Sequence, residues 1–405
     1  MADFYLKCAD CGYETVEDQY YVNCSQCEGF LNVQLRNVDA STKPDSNYSS
    51  IFKYHPFMPF DVQEADLLAH ENFEDTPTFF AEQISNRLDV ELYCKDETVF
   101  PTGTWKDREG FVSIYRLWKN NISDMVLFSS GNTGTSLARS ASLFKGPRLH
   151  LFVPKSSKNR IQSLTKFYHP DFVEIHYGDG SNDECIVQAK AYASDSGLAI
   201  EGGFRNYARR EGLKLLGLEY IFGLGVDNPV DWYVQAVAGG IGVYSFYKAH
   251  CDTGRADACP RILGVQAEAC SPMVNAWKDD SATLEDRHIP QEIVASDFVR
   301  VLRTRKPADS YPILKPIMDQ VDGQFECASD DGIYEALRLF YLEDYYKKAH
   351  GNGIVVGLEA ATALAGIVRG IQHGYIQKGA KVLLNVSGAA KAGDVKSEWI
   401  EDLLN

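Results

Sequence analysis

From Glu91 to Val386, short apolar runs alternate with helical patterns, and this restricts the fold more than any other feature of the chain. Residues 91–94 read as a strand, and 107–119 as an amphipathic helix on which Phe111, Ile114, Tyr115 and Leu117 recur. Strands are expected at 125–129, 149–153, 173–176, 232–237, 262–266, 353–356 and 381–386, and helices over 135–144, 185–193 and 208–222. Such alternation builds mostly parallel sheets with helices on both faces, and the strands are numerous enough for two sheets. The length of 405 residues likewise suggests two packed domains. The stretch most like a membrane span, 354–371, is interrupted by glycines, Glu359 and Arg369. It reads as a buried strand running into a core helix that begins after Gly357.

Composition narrows the partners. Against 40 Lys and Arg stand 56 Asp and Glu, a net charge of −16. So acidic a surface argues against binding nucleic acid or an anionic membrane. The N-terminus carries neither a basic segment nor a long apolar one, so the expected location is the reducing cytoplasm. Ten cysteines are too few for a disulfide scaffold, yet four fall within the first 27 residues. Cys8, Cys11, Cys24 and Cys27 make two Cys-x-x-Cys knuckles that can present four thiolates to Zn²⁺, with Gly12 helping the first to turn. Residues 1–45 therefore read as a zinc-ribbon-like module. Its role would be structural, because four sulfur ligands leave zinc no open position.

Three strand-to-helix loops combine small residues with polar side chains, and in this architecture ligands sit at the carboxyl ends of strands. Pro101-Thr102-Gly103-Thr104-Trp105-Lys106-Asp107-Arg108 places a lysine at a helix start. There the helix dipole and Arg108 oppose its protonation and favour a free amine. Ser129-Ser130-Gly131-Asn132-Thr133-Gly134 offers hydroxyls and backbone N–H groups to a carboxylate or phosphate. Ala238-Gly239-Gly240-Ile241-Gly242 would let the backbone approach a phosphate closely.

The order of these loops, followed by Asn385-Val386-Ser387-Gly388, resembles the fold-type II pyridoxal-phosphate enzymes. The early cysteine knuckles and Lys95-Asp96-Glu97 before Pro101-Thr102-Gly103 are similar to threonine synthase. Two segments, 201–212 and 272–277, look locally like cysteate synthase. The resemblance implies a two-domain α/β architecture of the tryptophan synthase β type. Its boundaries would be a large domain of 46–95 plus 205–405 and a small domain of 96–204. It implies pyridoxal 5'-phosphate held by Lys106 as a Schiff base, by Asn132 at the ring hydroxyl, by Ala238 to Gly242 at the phosphate and by Ser387 at the pyridine nitrogen. Ser130, Gly131 and Thr133 would hold the substrate carboxylate, and Arg205, Asn206 and Arg209 the leaving phosphate. Homodimers are usual in the family.

The implied reaction is elimination or replacement on a small O-phosphorylated amino acid. Threonine synthase chemistry converts O-phospho-L-homoserine and water to threonine and phosphate. Cysteate synthase chemistry replaces the phosphate of O-phospho-L-serine with sulfite. A specialised replacement reaction in a secondary pathway is a further possibility, and an inactive homologue with a binding role is the non-enzymatic one. Threonine synthases usually carry Ser-Phe at Thr104-Trp105, a threonine at Ser387, a glutamate at Gly357 and a phosphate-binding serine at Phe204. The departures concern the substrate rather than the cofactor.

Overall fold

The computed structural model describes residues 3–15, 20–62, 73–129, 131–158, 165–180, 182–291, 302, 304–343 and 356–390. Contacts divide the chain into two units. The first comprises Met1–Asp75, Phe100–Leu218 and Cys251–Arg255; the second comprises Thr76–Val99, Glu219–His250 and Ala256–Asn405. By contact, residues 46–75 and 205–218 group with the first unit, whereas the sequence reading assigned them to the large domain.

The first unit opens with a three-stranded antiparallel sheet of β1 (Phe4–Cys8), β2 (Glu14–Thr15) and β3 (Leu31–Leu35), with β1 central. A parallel four-stranded sheet follows, built from β6 (Asp124–Phe128), β7 (Arg148–Pro154), β8 (Val173–Gly178) and β9 (Ala199–Ile200) in the order β8-β7-β6-β9. The helices Lys106–Lys119 and Asn132–Phe144 pack together around Phe111 and Phe144, whose rings lie 5.4 Å apart. Gly110 permits this approach: a Cβ there would overlap Ser136 Oγ and lie 2.9 Å from the Ser136 carbonyl. Gly110→Ala should therefore cost about 1–3 kcal/mol of stability by overpacking, read from a denaturant midpoint.

The second unit holds a six-stranded sheet of β4 (Thr78–Phe80), β5 (Glu91–Asp96), β10 (Trp232–Ala236), β11 (Arg261–Ala267), β12 (Gln324–Ala328) and β13 (Lys381–Val386). The order is β12-β11-β10-β13-β5-β4, and only β4 runs antiparallel to its neighbour. Central strands such as β11 and β13 are buried along nearly their whole length, as a sheet covered on both faces requires. The helix Leu358–Gln372 lies close to β11, where a Cβ on Gly366 would run into Val265. Helix Asp330–Phe340 is capped by Ser329, whose Oγ accepts from Gly332 N at 3.2 Å, and it buries Ile333, Ala336, Leu337 and Phe340 along one stripe.

Strand β12 was hidden in the sequence by Glu326 at its centre, which interrupts the apolar run. That carboxylate is buried but accepts from Arg369 Nε at 3.2 Å, approaches His373 Nδ1 at 2.9 Å and accepts from Tyr375 Oη at 3.3 Å. Of the expected strand at 353–356, residues 353–355 lie outside the described residues, and Val356 makes a single bridge to Ala389. No helix among the described residues is long and apolar enough to cross a membrane.

Candidate active site

In the first unit, candidate site residues gather around the loop before the helix Lys106–Lys119. Gly103 adopts φ +71°, a left-handed turn that favours glycine, and its N–H donates to Phe100 O at 2.7 Å. Thr102 donates from its backbone N to Asp107 Oδ2 at 3.0 Å and from its hydroxyl to Oδ1 at 2.7 Å. Asp107 thus ties the loop to the helix and fixes Lys106 as the first helical residue. Trp105 is buried, and Lys106 Nζ lies 5.1 Å from its ring centre.

Around Lys106 the structure gathers an ion network. Lys106 Nζ lies 3.1 Å from Glu109 Oε2, one helical turn on. The other Glu109 oxygen accepts from Thr133 Oγ1 at 2.8 Å and from Arg209 Nη2 at 3.0 Å. Arg209 Nη1 also reaches both oxygens of Glu201, at 3.2 and 3.1 Å. Burial pushes the Lys106 amine below the usual lysine range; Glu109 opposes that shift and Arg209 reinforces it. Burial would push the Glu109 carboxyl up, but Arg209 and Lys106 outweigh it and hold the group below its ordinary value.

Asn132 and Thr133 open the helix Asn132–Phe144, and Gly131 precedes it. Ser129 Oγ accepts from Gly134 N at 2.9 Å, which shapes the turn. Ser130 lies outside the described residues. The expected phosphate ligands Arg205, Asn206 and Arg209 all have protein partners. Asn206 accepts from Ala208 N at 3.0 Å and donates to Glu201 at 3.2 Å, capping the helix Tyr207–Phe222. Arg205 donates to Glu28 O at 2.8 Å and so holds the cysteine module. Its neighbour Arg210 donates to Leu31 O and Phe204 O and lies 3.9 Å from the Phe30 ring centre, while Phe204 stacks on Phe30 at 5.5 Å. The basic pocket expected over 205–210 is thus a docking clamp plus a charge-balanced network.

The cysteine module fits zinc. Cys8 Sγ and Cys27 Sγ are 3.6 Å apart, Cys11 Sγ and Cys24 Sγ 3.7 Å, and all four sulfurs lie within 4.8 Å of one another. Tetrahedral Zn–S bonds of about 2.3 Å place sulfurs about 3.8 Å apart. Gly29 leaves the room: a Cβ there would sit 2.7 Å from Cys8 Sγ and 2.9 Å from Cys27 Sγ.

In the second unit, the loop Ala238 to Gly242 follows β10, and Ser387 follows β13. These are neighbouring parallel strands, so both segments lie at the carboxyl edge of the sheet. Ile241 and Gly242 begin the helix Ile241–Asp252. A Cβ on Gly239 would meet no atom within 4 Å, so the protein leaves a cradle there that fits a phosphate group. Asn385 Oδ1 is buried without a partner, while its Nδ2 donates to Tyr233 Oη at 3.3 Å. Gly239→Ala should leave the stability of the cofactor-free protein unchanged and weaken cofactor retention by about tenfold or more, measured by equilibrium dialysis.

In the first unit a largely enclosed lysine amine at a helix start offers an attachment point for pyridoxal phosphate, and in the second unit an open glycine turn at the edge of a parallel sheet offers room for a phosphate. Residues 70–388 match the family described as pyridoxal-phosphate dependent enzyme. The chain belongs to that family. Among curated relatives, it is 25% identical over 412 residues to the cysteate synthase of Methanospirillum hungatei, covering 97% of this chain and 91% of that one. It is 23% identical to the threonine synthase of Methanosarcina acetivorans, covering 95% and 91% respectively. The processed form of threonine deaminase isoform 2 from Solanum lycopersicum shares the fold with a TM-score of 0.63 at 16% identity, covering 85% of this chain and 88% of that one. The fold-type II α/β architecture expected from the sequence is the one present.

The sequence reading missed Glu109 and Glu201 as site residues. Glu109 had a local signal, three positions after Lys106 on a helix. Glu201 opens the segment 201–212 singled out above, but its pairing with Arg209, reached across a turn, had no local signal.

Proposed function

We propose that the protein replaces the phosphate of a small O-phosphorylated amino acid, with O-phospho-L-serine as substrate and sulfite as acceptor. The observation carrying this reading is the state of the segment 201–210. Phe204, at the position of a threonine synthase's phosphate-binding serine, stacks on Phe30, and Arg205 and Arg210 hold the cysteine module. That arrangement speaks against a pocket for phosphohomoserine, and the cysteate synthases, at 25% identity, support the alternative. This reverses the sequence-based preference for threonine synthase chemistry.

Pyridoxal phosphate, when bound, supplies the electron sink for negative charge at the substrate's Cα. Lys106 Nζ is the base that takes the Cα proton and later returns it, a role suited to an amine whose burial favours the neutral form. Glu109, 3.1 Å away, receives a hydrogen bond from that nitrogen and steadies it when it carries the proton. Gly131 and Thr133, at a helix N-terminus, orient the substrate carboxylate. Ala238 to Gly242 would hold the cofactor phosphate, and Ser387 would offer its ring nitrogen a neutral hydroxyl rather than a carboxylate, which favours elimination over transamination. The Cβ–O bond to phosphate breaks, and the sulfur lone pair of sulfite forms the new Cβ–S bond, with no net oxidation or reduction.

Inorganic phosphate release tests the proposal. Phosphoserine with sulfite should release phosphate faster than phosphohomoserine with water; the reverse order would return the assignment to threonine synthase chemistry.

A further inference from the structure

A second cluster of ligating side chains lies on β7 and β8 of the first unit. In the parallel register His150 pairs with Glu174 and Phe152 with His176, so His150, Glu174 and His176 share one face of the sheet. His150 Nδ1 is 3.3 Å from His176 Nε2 and 3.7 Å from Glu174 Oε2, and His176 Nε2 is 3.6 Å from Glu174 Oε1. Ligand atoms around a tetrahedral zinc with bonds of about 2.1 Å stand about 3.4 Å apart. The two imidazole nitrogens already stand at that spacing, and one ligand atom from each of the three residues lies within 4.8 Å of the others.

The surroundings orient them. His150 Nε2 faces Asp124 Oδ1 at 3.1 Å, which places the ring proton on Nε2 and leaves the Nδ1 lone pair toward the cluster. A carboxylate behind a histidine in this way is the usual support of a metal-bound imidazole. Phe152 stacks on His176 at 4.5 Å with an 8° interplanar angle and fixes that ring. Tyr192 Oη stands 3.3 Å from His150 Nδ1, next to the fourth corner. Arg148 pairs with Glu174 Oε2 at 2.6 Å, so Oε1 is the oxygen left to face His176. A proton on His176 Nε2 would also close the contact between the histidines. Arg148 holds only Oε2, and a cation would account for Oε1 standing beside His176 Nε2.

We propose that His150, His176 and Glu174 form a second divalent-metal site of the zinc class, distinct from the four-cysteine site and from the cofactor site. Two imidazoles and a carboxylate suit Zn²⁺, Ni²⁺ or Cu²⁺ rather than Ca²⁺ or Mg²⁺. The ion would clip β7 to β8 and retain a position for Tyr192 or water.

Cobalt titration of the full chain, stripped with a chelator, is the test. The wild type should bind Co²⁺ in two spectroscopic classes: one with the intense near-ultraviolet band of thiolate ligands, and one with weaker visible bands alone. His176→Gln and Glu174→Ala should each lose the second class and keep the first, whereas Cys27→Ser should do the opposite. Asp124→Asn should weaken the second class by about 10–100-fold. The proposal is overturned if the wild type binds cobalt only at thiolates, or if the second class survives both His176→Gln and Glu174→Ala. Should His176→Gln fail to fold, Glu174→Ala, at a half-exposed side chain, gives the same reading.

Discussion

Lys106→Ala is expected to lower turnover by at least about 10³-fold while leaving the protein folded. The side chain is the only primary amine in the ion network, and alanine is an excellent helix former at its position, the first of the helix Lys106–Lys119. Stability survives because Glu109 keeps two other partners, Thr133 at 2.8 Å and Arg209 at 3.0 Å, and is not stranded as an uncompensated buried charge. The variant should also lack the near-ultraviolet or visible band of lysine-attached cofactor that the wild type acquires on reconstitution. A variant that keeps both band and turnover would remove Lys106 from the chemistry.

Arg209→Ala has the largest expected effect on stability, a loss of about 3–5 kcal/mol in denaturant unfolding, because it removes the guanidinium shared by two buried carboxylates and leaves Glu201 with no cationic partner among its described contacts. Glu109 would retain Lys106 and Thr133, and Glu201 would retain Asn206 and the N–H of Gly203 at 3.1 Å. The pH dependence follows from the direction of the Glu109 shift. Its folded pKa lies below the ordinary 4.5, so its stabilisation is fully present above that value and is lost as pH falls through the folded pKa. Without Arg209, burial dominates and Glu109 takes up a proton more readily. The deficit of the variant should therefore be greatest near neutrality and shrink as pH falls below 4.5. Arg209→Lys should fall between the two, since one ammonium cannot reproduce the paired contacts to Glu109 and Glu201. A deficit independent of pH would place the damage in packing instead.

Much of this architecture was legible in the sequence because local signals and burial agree. The strand expected at 381–386 is β13 itself, and that at 149–153 is β7 with one residue added at each end. The zinc-ligand spacing of Cys8, Cys11, Cys24 and Cys27 becomes a real cluster, since short knuckles determine their own geometry. Where a strand owes its burial to a distant partner, the pattern fails: Glu326 breaks β12 in sequence, and only Arg369, His373 and Tyr375 explain it. The site divides in the same way. Lys106 and the glycine loop are marked by residue type and position. The role of the arginines depends on which acids or carbonyls the fold brings to them, so one run of basic residues became a clamp at Arg205 and Arg210 and a buried ion pair at Arg209.

The most direct test of the central claim is the mass of the amino acid formed when the reconstituted protein is supplied with O-phospho-L-serine and sulfite. The account predicts cysteate in an amount equal to the phosphate released, with neither product formed by Lys106→Ala. Threonine from O-phospho-L-homoserine, with no cysteate from phosphoserine, would contradict it.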